Sequence, residues 1–294
     1  QGPQHSQSLE ALFAHVPGLQ VVSPSTPSDA KGLLISSLKS KSPVIFFEHR
    51  WLHDVKGPVS KKLKQVKIGK AKIVKKGKDV TLISYSEGML KLRRIIPLLE
   101  KSKISAEIID LRSIRPIDKQ TILNSVKKTK KLIVIDNGWK TLGVSSEIIS
   151  LVSENLGNKL KFNPIRLALS NYPIPSTKSL AKHSYVDFSD IFNSITKATN
   201  KRINLKFKKD FMNRIANMNS DTPFNDFKGP LIFPFGEGRF LTIDSKISST
   251  PSPVFPEQLI DLLVSMPITS SICFLTFSLS EAGRSILFNT GIIS

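Results

Sequence analysis

The sequence predicts an α/β protein built on a mostly parallel, doubly wound sheet. Two observations carry that expectation, and both lie between residues 79 and 170. Four short apolar runs, Val80-Thr81-Leu82-Ile83, Ala106-Glu107-Ile108-Ile109, Leu132-Ile133-Val134-Ile135 and Ile165-Arg166-Leu167-Ala168-Leu169, read as buried strands. Between them the apolar residues switch to helical spacing. Met89, Leu92, Ile95, Ile96 and Leu99 share one face, Ile122, Val126 and Thr129 a second, and Val144, Ile148, Leu151 and Val152 a third. Strands alternating with helices favour right-handed crossovers, which put parallel strands in one sheet and helices on both its faces. Gly143 ahead of Val144-Ser145-Ser146-Glu147 suits a tight strand-to-helix turn.

The first sixty residues continue in this manner. Ser8 to Val16 is expected to form a helix with Leu9, Leu12 and Phe13 on one side, followed by a short strand at Val21-Val22. Thr26-Pro27 is a helix start, the hydroxyl capping and the proline filling the first position, and it leads into Ala30–Leu38. Pro43-Val44-Ile45-Phe46-Phe47 reads as a buried strand ending at Glu48-His49-Arg50, and the lysine-rich Lys56–Lys67 stretch, with Gly57-Pro58, as an interdomain linker. Residues 201–230 read as polar and irregular. From Leu231 onward there is one lysine, Lys246, with many Ser and Phe and no sustained period. That last segment is expected to be a tail of separate origin, disordered or out of frame with the rest.

Composition excludes several classes of function. The chain of 294 residues has 43 Lys and Arg against 23 Asp and Glu, a formal net charge of +20, and 40% apolar residues, enough for real cores. The single cysteine, Cys273, excludes an intrachain disulfide framework and suits a reducing compartment; a cytoplasmic location is expected. No apolar run approaches the roughly 20 residues a membrane-spanning helix needs, so no membrane partner is expected. The opening Gln1-Gly2-Pro3-Gln4-His5 has neither an initiator Met nor a signal pattern, and the sequence is expected to be a piece of something longer.

The basic excess suggests a phosphate binder, but it is not arranged as one. The window Lys39–Lys78 holds thirteen basic and two acidic residues around the linker, and its lysine run Lys61–Lys78 has no interleaved aromatics, so a solvated connector or a docking surface for an acidic partner is expected and no nucleic acid. Gly236-x-Gly238 lacks the third glycine of a dinucleotide loop. His49 and His53 are spaced to share a helix face but have no third ligand, and no metal site is expected.

His5 stands out for its company. Residues 4–24 read Gln-His-Ser-Gln-Ser-Leu-Glu-Ala-Leu-Phe-Ala-His-Val-Pro-Gly-Leu-Gln-Val-Val-Ser-Pro, and this stretch resembles the β subunit of thiamine-diphosphate-dependent 2-oxo acid dehydrogenases, within the transketolase-like superfamily. The family hallmark is His-Ser-Gln before a helix and then Pro-Gly-hydrophobic-x-Val-Val. The resemblance continues through Ser28-Asp29-Ala30-Lys31-Gly32-Leu33, Pro43–His49, Ile68-Gly69-Lys70-Ala71 and Ile109-Asp110-Leu111-Arg112-Ser113-Ile114-Arg115-Pro116. It ends with Gly138-Trp139, Gly143–Ile148 and Tyr172-Pro173-Ile174-Pro175, in order over roughly residues 3–200.

The resemblance implies that residues 1–60 are the C-terminal part of a pyrimidine-binding α/β domain and residues 61–200 a transketolase C-terminal domain, with a polar extension over 201–230 and the separate tail over 231–294. It implies decarboxylation of a 2-oxo acid and transfer of the acyl group to lipoyl-lysine, with His5 as the catalytic residue in proton transfer and reductive acylation. An imidazole that titrates near neutrality suits that task. The cofactor, thiamine diphosphate with Mg²⁺, is then held mainly by residues outside this chain, so no cofactor-binding residue is named and the fragment alone is expected to be inactive. The implied partners are the α subunit, a second β subunit in a heterotetramer, and the lipoyl acyltransferase core. Asp110, Arg112 and Arg115 follow a strand end, where α/β proteins place ligands, but read first as a structural ion pair or subunit contact, with Trp139 and Glu147 as packing and interface residues and Glu48 and His49 as polar support near the cleft. Ser40 and Ser42 replace the residue types that surround a potassium ion in some relatives, which weakens the case for that ion. The alternatives are another transketolase-like enzyme, of transketolase, deoxyxylulose phosphate synthase or biosynthetic β-subunit-like type, or a non-catalytic assembly domain.

Overall fold

A computed structural model describes residues 6–220 and, beyond them, the backbone of four strands at Leu231–Phe235, Arg239–Ile243, Ile272–Thr276 and Asn289–Ile293. The first unit contains α1 (Glu10–Ala14), β1 (Gln20–Val22), α2 (Pro27–Leu38) and β2 (Val44–Phe46). The second begins with β3 (Lys72–Lys75), β4 (Val80–Ser84), α3 (Ser86–Lys101), β5 (Ala106–Asp110) and β6 (Ser113–Arg115). It continues with α4 (Lys119–Thr129), β7 (Leu132–Trp139), α5 (Val144–Leu156), β8 (Ile165–Leu169), α6 (Lys178–Ala181), α7 (Phe188–Thr199) and α8 (Leu205–Ser220).

The main sheet has the strand order β3-β5-β4-β7-β8, with β5, β4, β7 and β8 parallel and β3 antiparallel at the edge. This is the doubly wound architecture expected from the alternating pattern. Successive residues of a strand point to opposite faces. Leu82, Ile108 and Ile133 therefore pack with Met89, Leu92 and Ile95 of α3 and with Ile191 and Phe192 of α7. Their neighbours Ile83, Ile109 and Val134 pack on the other face, with Ile122 and Val126 of α4 and Ile148 and Val152 of α5.

Local chemistry fixes the helix ends. Thr26 Oγ1 accepts from the Asp29 backbone N–H at 3.1 Å, with Pro27 in the first turn, as the sequence suggests. Asp118 caps α4 by accepting from Thr121 N–H at 3.2 Å, and Asp187 and Asp190 form a reciprocal capping box at the start of α7. The Lys56–Lys67 connector is pinned along α2: Val66 N–H donates to Gly32 O at 3.0 Å, and Lys31 Nζ donates to Ser60 O at 2.8 Å. A Cβ at Gly32 would lie 2.5 Å from Val66 Cγ2, so glycine permits that approach.

Three elements depart from the sequence reading. The first helix covers only Glu10–Ala14, and the residue it buries is Glu10, while Leu12 is 63% exposed. A helix covers Leu205–Ser220 where irregular chain is expected, because Phe207, Phe211, Met212 and Ile215 recur at helical spacing and pack onto the α3–α7 layer. Finally, β6 leaves the second unit and pairs antiparallel with β1 of the first, opposite Val21 and Val22, so the two units share a sheet order β2-β1-β6. In the 231–294 segment, β9 (Leu231–Phe235) pairs with β10 (Arg239–Ile243), and β11 (Ile272–Thr276) lies between β2 and β12 (Asn289–Ile293). The expectation of a disordered or out-of-frame tail falls largely outside the described residues.

Candidate functional site

In open α/β sheets ligands bind beyond the carboxyl ends of the strands. Here β4, β5 and β7 end at Ser84, Asp110 and Trp139, and buried polar groups gather there in two networks.

The first network centres on Asp136, buried near the end of β7. Its Oδ1 accepts from Tyr85 Oη at 2.7 Å and from Gly138 N–H at 3.0 Å, and its Oδ2 accepts from Ser145 N–H at 2.7 Å at the start of α5. Burial and the facing Asp136 carboxyl push the Tyr85 phenol well above its ordinary range. Glu10 reaches the same place from the first unit and accepts from the Ser8 hydroxyl. Burial raises its pKa to about 7, against the opposing pull of the Ser8 hydrogen bond and with a further push from Asp136. Gly138 lies between these parts: a Cβ there would be in ordinary contact with Asp136 Oδ1 at 3.5 Å and Ser8 O at 3.6 Å.

The second network centres on Asp110, at the end of β5. Its Oδ2 accepts from Arg93 Nη2 at 3.1 Å and from the Ser25 hydroxyl, and its Oδ1 accepts from Arg112 N–H at 3.2 Å. Burial pushes this carboxyl up, opposed by Ser25 and the Arg93 guanidinium. Arg112 pairs with Asp29 at 3.1 Å and donates to Lys70 O at 2.7 Å, while Arg115 donates to Ala14 O at 2.9 Å. The Asp110–Arg112–Arg115 segment is thus a structural junction between the two units, the first of the readings the sequence left open.

Other expected residues are dispersed. His5 lies outside the described residues. Glu48 is exposed and 3.9 Å from His53, while burial lowers the pKa of His49, whose Nδ1 accepts from Trp51 N–H at 3.2 Å. Trp139 donates to Tyr172 O at 3.2 Å, and Glu147 is exposed on α5. In the Ser37–Ser42 turn, Ser40 Oγ donates to Gln20 Oε1 at 3.1 Å and accepts from Ser42 N–H at 3.1 Å. Among the described residues no group of three or more His, Cys, Asp or Glu is placed to hold a metal ion.

The described residues do not fit thiamine diphosphate on their own. A diphosphate needs a helix N-terminus or a cluster of cations, and here those positions at the carboxyl ends are filled by the chain's own carboxyls. Glu87 lies in the first turn of α3, and Asp136 takes the Ser145 N–H at the head of α5. The unpartnered buried hydroxyls of Ser23, Ser86 and Ser145 offer only neutral groups. What the arrangement does is lock the Glu10 segment and the β1–α2 connection onto the sheet's carboxyl end.

Residues 69–191 match the family described as transketolase, C-terminal domain, and residues 1–54 match that described as transketolase, pyrimidine binding domain. Together they account for more than half of the chain. The chain belongs to the transketolase-like family. Among its relatives is the pyruvate dehydrogenase E1 component subunit beta of Acholeplasma laidlawii, 41% identical over 180 residues, which cover 61% of this chain and 55% of the relative. The Porphyra purpurea protein of the same name is 35% identical over 199 residues, covering 68% of this chain and 60% of the relative. The beta subunit of acetoin:2,6-dichlorophenolindophenol oxidoreductase of Cupriavidus necator is 38% identical over 177 residues, covering 60% and 52%. The chain thus spans little more than half the length of these relatives. A solved structure entitled "Split gene transketolase, inactive beta4 tetramer" superposes with a TM-score of 0.53 at 19% identity, covering 66% of this chain and 61% of that one; it supports the fold alone.

Proposed function

We propose that this transketolase-like chain is part of the β subunit of a thiamine-diphosphate-dependent 2-oxo acid dehydrogenase, which decarboxylates a 2-oxo acid and passes the acyl group to lipoyl-lysine. The observation that carries the reading is the match of both domain families in their order, with relatives named as such β subunits at 35% to 41% identity. In this reading residues 1–60 contribute the end of the pyrimidine-binding domain, residues 61–200 the C-terminal domain and residues 201–230 an extension, while 231–294 is foreign to the family's chain. His5 gives and takes the proton, the cofactor and its Mg²⁺ are held mainly on an α subunit, the assembly is a cytoplasmic heterotetramer, and a lipoyl acyltransferase core receives the acyl group. Where the described residues offer no diphosphate site, a partner that supplies one is the consistent complement.

The test is co-expression of the full reading frame with its α subunit, followed by assays on pyruvate, branched-chain 2-oxo acids and acetoin. Dye reduction with one of the 2-oxo acids, lost in His5→Ala, supports the reading. Activity on acetoin alone would assign the chain to the kind of enzyme named for the Cupriavidus necator relative. Failure of the complex to bind thiamine diphosphate in calorimetry would favour a non-catalytic assembly role.

A further inference from the structure

The end of the main sheet opposite the buried carboxyl networks has the reverse electrostatic character. The strands β4, β5, β7 and β8 begin there and helices α3 and α4 finish there. One open depression is lined by Lys101, Lys103, Arg202 and Lys206, and a second by Lys127, Lys130, Lys159 and Lys161. All eight of these side chains belong to exposed residues.

The two depressions are joined by one rim. Lys201 Nζ donates to Lys103 O at 3.2 Å and to Asp79 Oδ2 at 2.6 Å, and Lys78 N–H and Asp79 N–H donate to Ser105 O at 2.9 and 2.8 Å. Thr81 N–H then donates to Lys131 O at 2.9 Å, and Lys161 N–H to Lys130 O at 2.9 Å. The acidic groups along this line are already engaged: Asp79 with Lys201, Glu107 with Lys128, and Glu100 with Lys75. The seven lysines and one arginine of the depressions have no ion-pair partner among the described residues, although Lys101 also lies 4.6 Å from the Phe207 ring centroid.

Lysines at helix C-termini partly serve the helix dipole, which favours cations there. That accounts for a residue or two per helix, as with Lys101 and the Lys127-Lys128 pair, but not for Lys159, Lys161 and Arg202 between the longer helices and strands, nor for Lys206 in the first turn of α8, where a cation opposes the dipole. The backbone decides which anion fits. α3 and α4 turn their carbonyls to this end, and where α8 opens into the first depression Asn204 Oδ1 already takes the Lys206 and Phe207 N–H groups at 3.1 and 3.4 Å, so a small phosphate has no free backbone cradle. The lysine amines reach beyond the carbonyls on long stems and present a diffuse positive field. Base stacking platforms are missing too, since neither depression is lined by an aromatic side chain.

We propose that the rim running from Lys103 and Arg202 to Lys130 and Lys161 is a docking surface for an acidic polypeptide segment of a partner protein. The surface lies at the far end of the sheet from the Asp110 and Asp136 networks, so docking leaves that end of the sheet uncovered. It is also separate from the Lys56–Lys67 connector, where sequence alone places the docking charge.

The test uses the full chain and a fluorescently labelled poly-glutamate peptide, read by anisotropy at low and physiological salt. Lys103→Glu/Arg202→Glu/Lys206→Glu and Lys127→Glu/Lys159→Glu/Lys161→Glu are each expected to weaken binding on the order of tenfold, because several cations act together in a field that salt screens. The connector variant Lys61→Glu/Lys62→Glu/Lys64→Glu carries the same change in net charge and is expected to bind as the parent does. Circular dichroism checks that each variant folds, and the corresponding Lys→Gln sets should give a smaller loss in the same order. Equal losses in the connector variant would overturn the proposal, as would tighter binding of oligo-dT than of poly-glutamate. Complete displacement by inorganic phosphate at equal charge concentration would overturn it as well, assigning the rim to a small anion.

Discussion

The Tyr85 hydroxyl donates to Asp136 Oδ1 at 2.7 Å, joining the end of β4 to the end of β7 beneath the segment that carries Glu10. Asp136 accepts two backbone N–H groups besides, so its carboxyl holds together the Gly138 turn and the head of α5. Tyr85→Phe removes one donor and keeps the ring, and should lower stability by about 1–2 kcal/mol. Asp136→Ala strands three buried donors and should cost about 3–5 kcal/mol. Urea unfolding followed by circular dichroism measures both, and equal effects would show that the Tyr85 hydroxyl, not the two backbone donors, carries the contribution of Asp136.

Glu10 makes stability depend on pH. Its pKa moves from an ordinary 4.5 to about 7 because burial disfavours the charged form. Between those values the folded chain binds the proton and the unfolded chain does not. The stabilisation is fully present below about pH 4.5 and is lost as pH rises through about 7. The integrated effect is on the order of 3 kcal/mol. Glu10→Gln keeps a side chain that can meet Ser8 and removes the titration, so its unfolding free energy should change less between pH 5 and pH 8 and should exceed the parent's at the upper end. An unchanged slope in the variant would place the titration elsewhere.

Why Glu10 escapes a reading of the sequence is instructive. A glutamate in the first turn of a helix is ordinarily a solvated partner of the dipole, and Leu9, Leu12 and Phe13 suggest the apolar side. Tertiary contact reverses this, because Tyr85 and Asp136, far along the chain, provide a polar niche that only folding creates. By contrast, the three central strands β4, β5 and β7 are legible because they are buried on both faces and read as apolar runs, and β8 keeps enough apolar residues to be read at the edge. The edge strand Lys72–Lys75 and the short Ser113–Arg115 strand are not, since lysines at an edge and a three-residue pairing leave no periodic signal. The Leu205–Ser220 helix was written in Phe207, Phe211 and Ile215, but lysines and asparagines around them dilute the pattern. His5 rests on resemblance, whereas the Asp110 and Asp136 networks are geometric and become visible only when strand ends meet.

Ser86 offers a stabilising change. It opens α3 with φ +47°, in the left-handed region that glycine occupies without a Cβ penalty, and its buried hydroxyl has no hydrogen-bond partner among the described residues. Ser86→Gly therefore relieves backbone strain and removes a desolvated hydroxyl. A gain of about 1 kcal/mol is expected, visible as a higher urea midpoint with unchanged slope. A loss would show that Ser86 Oγ is engaged in the native protein.

Gly143 tests the other side of the Asp136 network. Its φ is −77°, so backbone freedom is not the reason for glycine; space is. A Cβ would lie 2.2 Å from Trp139 O and 2.7 Å from Asp136 Oδ2. Gly143→Ala must push α5 away from the end of β7 and should cost about 2–3 kcal/mol, within the range of overpacked sites. Because the displaced atoms belong to the same carboxyl that Tyr85 and Ser145 use, the effect should be non-additive with Asp136→Ala. A double-mutant cycle in urea reads the coupling, and simple additivity would mean that the turn yields at Trp139 without disturbing Asp136.

The Arg112–Asp29 pair, 3.1 Å apart and mostly buried, ties α2 of the first unit to the turn between β5 and β6. Arg112 also donates from Nε and Nη2 to Lys70 O at 3.1 and 2.7 Å, a fork that a lysine amine does not reproduce. Arg112→Lys keeps the charge and loses the fork, so it should recover little of what Arg112→Ala loses. Removing one partner of a buried pair costs about 3–5 kcal/mol because the other charge stays buried. Asp29 also takes the Thr26 hydroxyl at 2.8 Å within the cap of α2, so Asp29→Asn should loosen this helix start first. Hydrogen exchange of the Ala30 and Ser23 amides, which donate to Thr26 O and Arg112 O, reports on the two sides of the junction separately. Faster exchange at both in Arg112→Ala, with the amides of β4 and β7 still protected, would be the expected signature of a junction that opens as a unit. Protection lost equally across β4 and β7 would mean that the pair supports the whole sheet and that the two units do not separate before global unfolding.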